Sequence, residues 1–203
     1  MKQSDIFLKS EGERWFERNE SRIDKDDDPV LKLIESSEIT PECVLEVGCA
    51  NGWRLLKMRE MHECRIHGVE PGATDTSPPF VSKGHAADLS LYNNDFFDLV
   101  IYGFCLYLAD REDLFRIVAE GDRVLKDGGH LVIYDFAADK VHARAYHHLN
   151  GIRSFKMNYA TLWLANPAYQ SIAGTIRYID PDDAIGVTIL KKDIEAAWPI
   201  KSS

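Results

Sequence analysis

No apolar run in the chain approaches the ~20 residues a membrane helix needs, so no segment is expected to span a bilayer. The start, Met1-Lys-Gln-Ser-Asp5, carries no apolar signal core. Basic clusters are missing as well. The 24 Lys and Arg stand against 33 Asp and Glu, for a net charge of −9, and they nowhere gather into the patch a phosphate backbone asks for. Nucleic acid is therefore not an expected partner. The four cysteines, Cys43, Cys49, Cys64 and Cys105, include no Cys-x-x-Cys pair and no zinc-like set. Neither a disulfide framework nor a bound metal is expected, and reduced thiols point to the cytoplasm. Internal repeats and low-complexity linkers are absent, so the 203 residues read as a single domain, 1–203, long enough for a substantial core.

What is present is an alternation of strand and helix patterns. Cys43–Gly48, Arg65–Glu70, Val81–Ala86, Phe97–Phe104 and Leu131–Phe136 read as strands. Asn51–Met61 and Asp110–Leu125 read as helices, the second with Leu114, Ile117, Val118, Gly121 and Val124 at helical spacing and Asp110 as its N-cap. Asp127-Gly-Gly129 reads as a turn. Pro71–Pro79 stands where another helix is expected and is too rich in Pro, Thr, Ser and Gly to form more than a short one. This order predicts a parallel sheet with right-handed crossovers. Residues 169–180 and 184–192 then read as two further strands around Ile179-Asp-Pro-Asp-Asp183. Pro29 opens an earlier helix through Ser36, behind a polar arm that carries the adjacent aromatics Trp15 and Phe16.

The most informative stretch is Val44-Leu-Glu-Val-Gly-Cys-Ala-Asn-Gly52. A short apolar strand reaches an acidic residue, and a glycine-bounded turn leads into a helix, which brings backbone close to a nucleotide-like ligand at a strand's carboxyl end. The spacing is neither the dinucleotide G-x-G-x-x-G nor the P-loop with its Lys-Ser/Thr. The run resembles motif I of the class I S-adenosylmethionine-dependent methyltransferases, and the likeness extends over residues 43–136. It implies a Rossmann-like α/β fold. A mostly parallel seven-stranded sheet would end in an antiparallel terminal pair and carry helices on both faces. S-adenosylmethionine would be the cofactor and S-adenosylhomocysteine the product.

The same resemblance assigns candidate cofactor residues. Glu46 would meet the methionine amino group, and Gly48, Cys49, Ala50, Asn51 and Gly52 would form the turn, with Ala50 where the family often has glycine. Glu70 would take the ribose diol, with Pro71 beside it. Adenine would lie against Ala86, Ala87, Asp88 and Leu89, although aligning on the glycine puts His85 where the family's aspartate stands. Tyr102, Gly103 and Phe104 would flank the sulfur.

The acceptor is less legible. No Asn/Asp-Pro-Pro-Tyr/Phe run follows the fourth strand, and no row of metal-binding carboxylates follows the fifth, so amide or base-amine methylation and magnesium-dependent catechol chemistry are disfavoured. His147, His148 and Tyr107 are the candidate catalytic residues, with His142, Tyr146 and Asp135 behind them, because methyl transfer to a hydroxyl can need a base near neutral pH. Residues 1–40 form an arm that either lies on the domain edge or covers the ligand. Residues 137–168 form a substrate-side insertion whose aromatics make either a lid or a buried layer. The arm and the insertion faintly resemble methyltransferases of surface-polysaccharide and sugar-nucleotide synthesis, so a small molecule, a sugar or sugar nucleotide among the options, is the expected acceptor. A domain that binds the cofactor without catalysis is the alternative. A nicotinamide-dependent reductase is disfavoured by the missing glycine pattern.

Overall fold

The structure, a computed structural model, describes residues 2–180 and 182–200. Eight strands share one sheet: β1 (Cys43–Val47), β2 (Arg65–Glu70), β3 (Val81–Lys83), β4 (Phe97–Gly103), β5 (Leu125–Ala145), β6 (Arg153–Asn158), β7 (Tyr169–Tyr178) and β8 (Ala184–Lys192). Seven of them run in the order β3-β2-β1-β4-β5-β8-β7. The first five are parallel, and β8 is antiparallel to both β5 and β7. This is the expected parallel sheet with its antiparallel terminal pair, plus one strand that was not expected. All of β1 is buried, as its unbroken apolar run requires of a strand covered on both faces.

The unexpected strand comes from residues 137–168. Instead of ending at Phe136, β5 continues to Ala145, and its far end pairs antiparallel with β6, Ala145 opposite Arg153 and His142 opposite Lys156. The polar alternation there belongs to a solvent-facing ribbon. At the other end of β5 the expected turn Asp127–Gly129 is an irregularity inside the strand, with Gly128 at φ +75°. A short helix, α6 (Ala160–Leu164), follows β6 and points Trp163 inward. Trp163 is fully buried, with its ring 5.1 Å from that of Tyr102, and Tyr159 is buried beside it. The aromatics of this segment therefore form a buried layer and not a lid.

The arm comprises α1 (Gln3–Ile6), a π-helical turn (Phe7–Glu11) and α2 (Gly12–Asn19), followed by α3 (Pro29–Ser36), which Asp28 caps through the N–H of Leu31 at 2.9 Å. After β1 comes α4 (Trp53–His62) and after β4 comes α5 (Leu114–Val124). Asp110 does not cap α5, which starts only after a 3-10 turn at Arg111–Asp113. Its carboxylate reaches across the chain instead and accepts the N–H groups of Gln3 at 2.9 Å and Ser4 at 3.0 Å, capping the arm's first helix. No helix among the described residues is long and apolar enough to cross a membrane.

Trp163 fills the space between α6 and the sheet, so truncation leaves a cavity as well as losing apolar contact. Trp163→Ala is expected to lower the unfolding free energy by about 3–5 kcal/mol. Urea denaturation checks this, and a loss below about 1 kcal/mol would place the ring in a site that collapses freely.

Candidate functional site

A cavity opens at the carboxyl ends of the parallel strands. That is the usual position for ligands in open α/β sheets. The strand ends supply Val47 and Gly48 after β1, Glu70 from β2, His85, Ala86 and Ala87 after β3, and Gly103, Phe104 and Cys105 after β4. Leu108, Ala109, Asp110, Asp113 and Ile117 extend that wall, and the arm closes the other side with Ser4, Phe7, Gly12 and Trp15.

Glu70 organises this cavity. One carboxylate oxygen accepts the N–H of Ala50 and the other that of Gly72, both at 2.9 Å. Each oxygen keeps a second lone pair, so the pair can still receive two vicinal hydroxyls. Burial pushes the Glu70 carboxyl above its ordinary range, against these two donors. Ala50 takes φ +52°, the left-handed region glycine prefers, and its N–H bond to Glu70 holds it there.

Glu46 is buried beneath Gly103, and its Oε1 pairs with Arg54, which also forks onto Asp28 at 3.1 and 2.9 Å. Burial raises the Glu46 carboxyl to about 7 despite the guanidinium. Its Oε2 is buried with no hydrogen-bond partner. Glu46 is not among the residues that line the cavity, but an ammonium donor reaching that oxygen would satisfy it, so the free carboxylate atom and the two-pronged Glu70 fit S-adenosylmethionine.

Other expected cofactor residues stand elsewhere. Tyr102 faces α5, where its hydroxyl donates to the carbonyl of Ile117 at 3.2 Å, because strand alternation turns it to the opposite side from Gly103. Asp88 is exposed and accepts the N–H of Ser90, so His85, not Asp88, joins Ala86 and Ala87 in the wall. Leu89 is buried in the core. Gly52, at φ +78°, opens α4, and a side chain there would meet Phe80, not a ligand. Cys49 fills the space above Gly68, and Asn51 and Pro71 lie outside the cavity wall.

The candidate bases are also displaced. His147 and His148 are exposed on the turn between β5 and β6, where the ribbon projects into solvent. His142 lies on that ribbon with Nε2 3.2 Å from Asp183. Tyr107 is buried outside the cavity wall, and its hydroxyl accepts the indole N–H of Trp15 at 2.8 Å. Burial raises that phenol, and its hydroxyl braces the indole of Trp15. Tyr146 bonds Glu11 at 3.0 Å and Arg18 at 2.9 Å. Asp135 accepts the N–H groups of Leu106 at 2.7 Å and Phe136 at 2.7 Å.

Of the two placements the sequence offered for the arm, on the domain edge or over the ligand, the structure puts Ser4, Phe7, Gly12 and Trp15 in the cavity wall. The backbones of Gly12 and Gly72 touch so closely that a Cβ on Gly12 would lie 2.6 Å from the Gly72 nitrogen. The legible trace was Gly12 followed by Trp15, a small residue and an aromatic on one helix.

Residues 45–133, less than half of the chain, match the family model described as the methyltransferase domain. No curated protein matches the sequence. Among solved structures, the Burkholderia thailandensis 1,6-didemethyltoxoflavin-N1-methyltransferase, with bound 1,6-didemethyltoxoflavin and S-adenosylhomocysteine, superposes with a TM-score of 0.67 at 14% identity over 89% of this chain and 87% of that one. A SAM-dependent methyltransferase from Methanosarcina mazei gives 0.64 at 16% identity, covering 84% of this chain and 100% of that one. The chain has the class I methyltransferase fold. The [4+2]-cyclase SpnF is similar too, with a TM-score of 0.61 at 16% identity over 81% and 80%. At these identities the likeness carries fold alone.

Burial raises the Asp135 carboxyl to about 7, against its N–H donors. Because the folded state favours the neutral acid, the stability this group contributes is full below its unfolded value of 3.8 and is lost as pH rises through about 7. Unfolding free energies between about pH 4 and 8 should fall with pH in the natural protein and fall less in Asp135→Asn. An equal slope in both would assign the pH dependence to other groups.

Proposed function

We propose that this protein is an S-adenosylmethionine-dependent methyltransferase that acts on a small-molecule acceptor, as one domain covered by its arm. The observation that carries this reading is the cavity itself, where Gly48, the doubly anchored Glu70 and Gly103 share one wall. In this reading Glu70 holds the ribose, Glu46 Oε2 receives the amino group, and His85 with Ala86 and Ala87 borders the adenine. The sulfonium supplies a methyl group already activated for displacement. The chain's part is then to orient the acceptor and exclude water, which Phe7, Trp15 and Phe104 are arranged to do. No catalytic base is required for that role, which agrees with the exposure of His147 and His148.

A cofactor-binding domain without turnover is the second reading. S-adenosylhomocysteine should bind the natural protein in calorimetric titration, and Glu70→Ala should weaken it about 10–100-fold by removing a charged acceptor from the site. Binding of NAD in its place, or unchanged affinity in the variant, would sink the assignment. Release of S-adenosylhomocysteine in the presence of an acceptor separates the two readings.

A further inference from the structure

We infer that the acceptor is a flat, uncharged aromatic compound, held against the rings of Trp15 and Phe104, and not a phosphorylated or nucleotide-linked one. The inference rests on the cofactor reading above, which uses the β1, β2 and β3 ends of the cavity and leaves the β4 end and the arm to the acceptor.

The remaining walls are apolar and rigid. Phe104 sits at φ +60° with its N–H bonded to the carbonyl of Tyr134 at 2.7 Å. Its ring is fixed by those of Tyr107 at 5.0 Å, Tyr134 at 5.3 Å and Phe136 at 5.4 Å. The indole of Trp15, which lines the same cavity, is held by its N–H bond to the Tyr107 hydroxyl. Two aromatic faces fixed before a ligand arrives select a planar guest, because little side-chain freedom is lost on stacking.

Charge selects against the alternative. Among the described residues the cavity wall contains no Lys or Arg, yet it contains the carboxylates of Glu70, Asp110 and Asp113. Asp110 is spent on the arm's N–H groups and Asp113 on Lys2 Nζ at 2.8 and 2.9 Å. Arg18 of the arm is engaged by Glu11 and Tyr146. A diphosphate entering here would meet carboxylates and, in Lys2 and Arg18, only cations already paired with a carboxylate, whereas a neutral ring would meet rings. The sugar-nucleotide expectation is therefore set aside.

The test titrates 4-hydroxyquinoline and uridine diphosphate glucose separately into protein saturated with S-adenosylhomocysteine, read by calorimetry. The hydroxyquinoline should bind at least about tenfold more tightly. Trp15→Ala should weaken it by about tenfold, and Trp15→Phe, which keeps a ring but loses the bond to Tyr107, should hold it within about threefold. The inference is overturned if the nucleotide sugar binds as tightly or better, if neither probe binds the loaded protein, or if a folded Trp15→Ala protein keeps full hydroxyquinoline affinity. Failure of S-adenosylhomocysteine itself to bind would instead remove the cofactor reading beneath it.

Discussion

The carboxylate of Glu70 joins three parts of the chain that are far apart in sequence. It sits at the end of β2, receives the N–H of Ala50 from the turn after β1, and receives that of Gly72 from its own following turn. Gly72 is in turn the backbone surface on which Gly12 of the arm rests. A charged acceptor buried at this point costs desolvation, and the two backbone donors offset that cost only in part. The residue proposed to hold the ribose thus also holds a left-handed alanine in place and fixes the seat of the arm.

The arm reaches that seat through polar contacts distributed along its length. Asp110 caps its first helix, and Gln3 bridges the carbonyls of Leu108 at 3.0 Å and Arg153 at 3.1 Å while accepting the Arg153 N–H at 2.8 Å. Farther along, the buried Glu11 joins Arg18 and Tyr146. Hydrogen bonds of this kind contribute about 1 kcal/mol each, but they are directional, so they fix where Phe7 and Trp15 stand over the cavity. The β5–β6 ribbon serves the same end. Its Tyr146 and Arg153 are the arm's partners, which gives the extension of β5 beyond Phe136 a positional role.

The strand-turn-helix around Gly48 and the acidic end of β2 were legible because each is a local pattern, an apolar run that ends at a fixed distance from glycine or glutamate. The parallel sheet followed from the alternation of strand and helix. The failures lie where a residue's identity says nothing of its direction. Tyr102 and Gly103 are neighbours, and strand parity sends one into the core and the other into the cavity. Asp88 and His85 compete for one role within a single loop, and only the loop's path turns His85 inward. His147 and His148 carry suitable chemistry but are exposed on the ribbon's turn and are not among the residues that line the cavity. Asp110 has the composition of a local cap, but its partner is the arm, more than a hundred residues earlier in the chain.

The absence of cations from the cavity wall follows from how the fold disposes of them. Three cationic side chains are buried among the described residues, Arg54, Lys156 and Lys192. Arg54 is divided between Asp28 and Glu46 under β1. Lys156 is paired with Asp183 at 2.6 Å, and its ammonium lies 4.2 Å from the Phe136 ring centre. Lys192 donates to the carbonyls of Asp122 at 2.8 Å and Leu125 at 2.9 Å, at the carboxyl end of α5, where the helix dipole favours a positive charge. Removing a charge from water is tolerated only with fixed partners, and each of these has them. Turning any of the three toward a ligand would strand a buried carboxylate or a set of helix carbonyls. Among the described residues every buried cation is therefore committed to its own partners, and none lines the cavity.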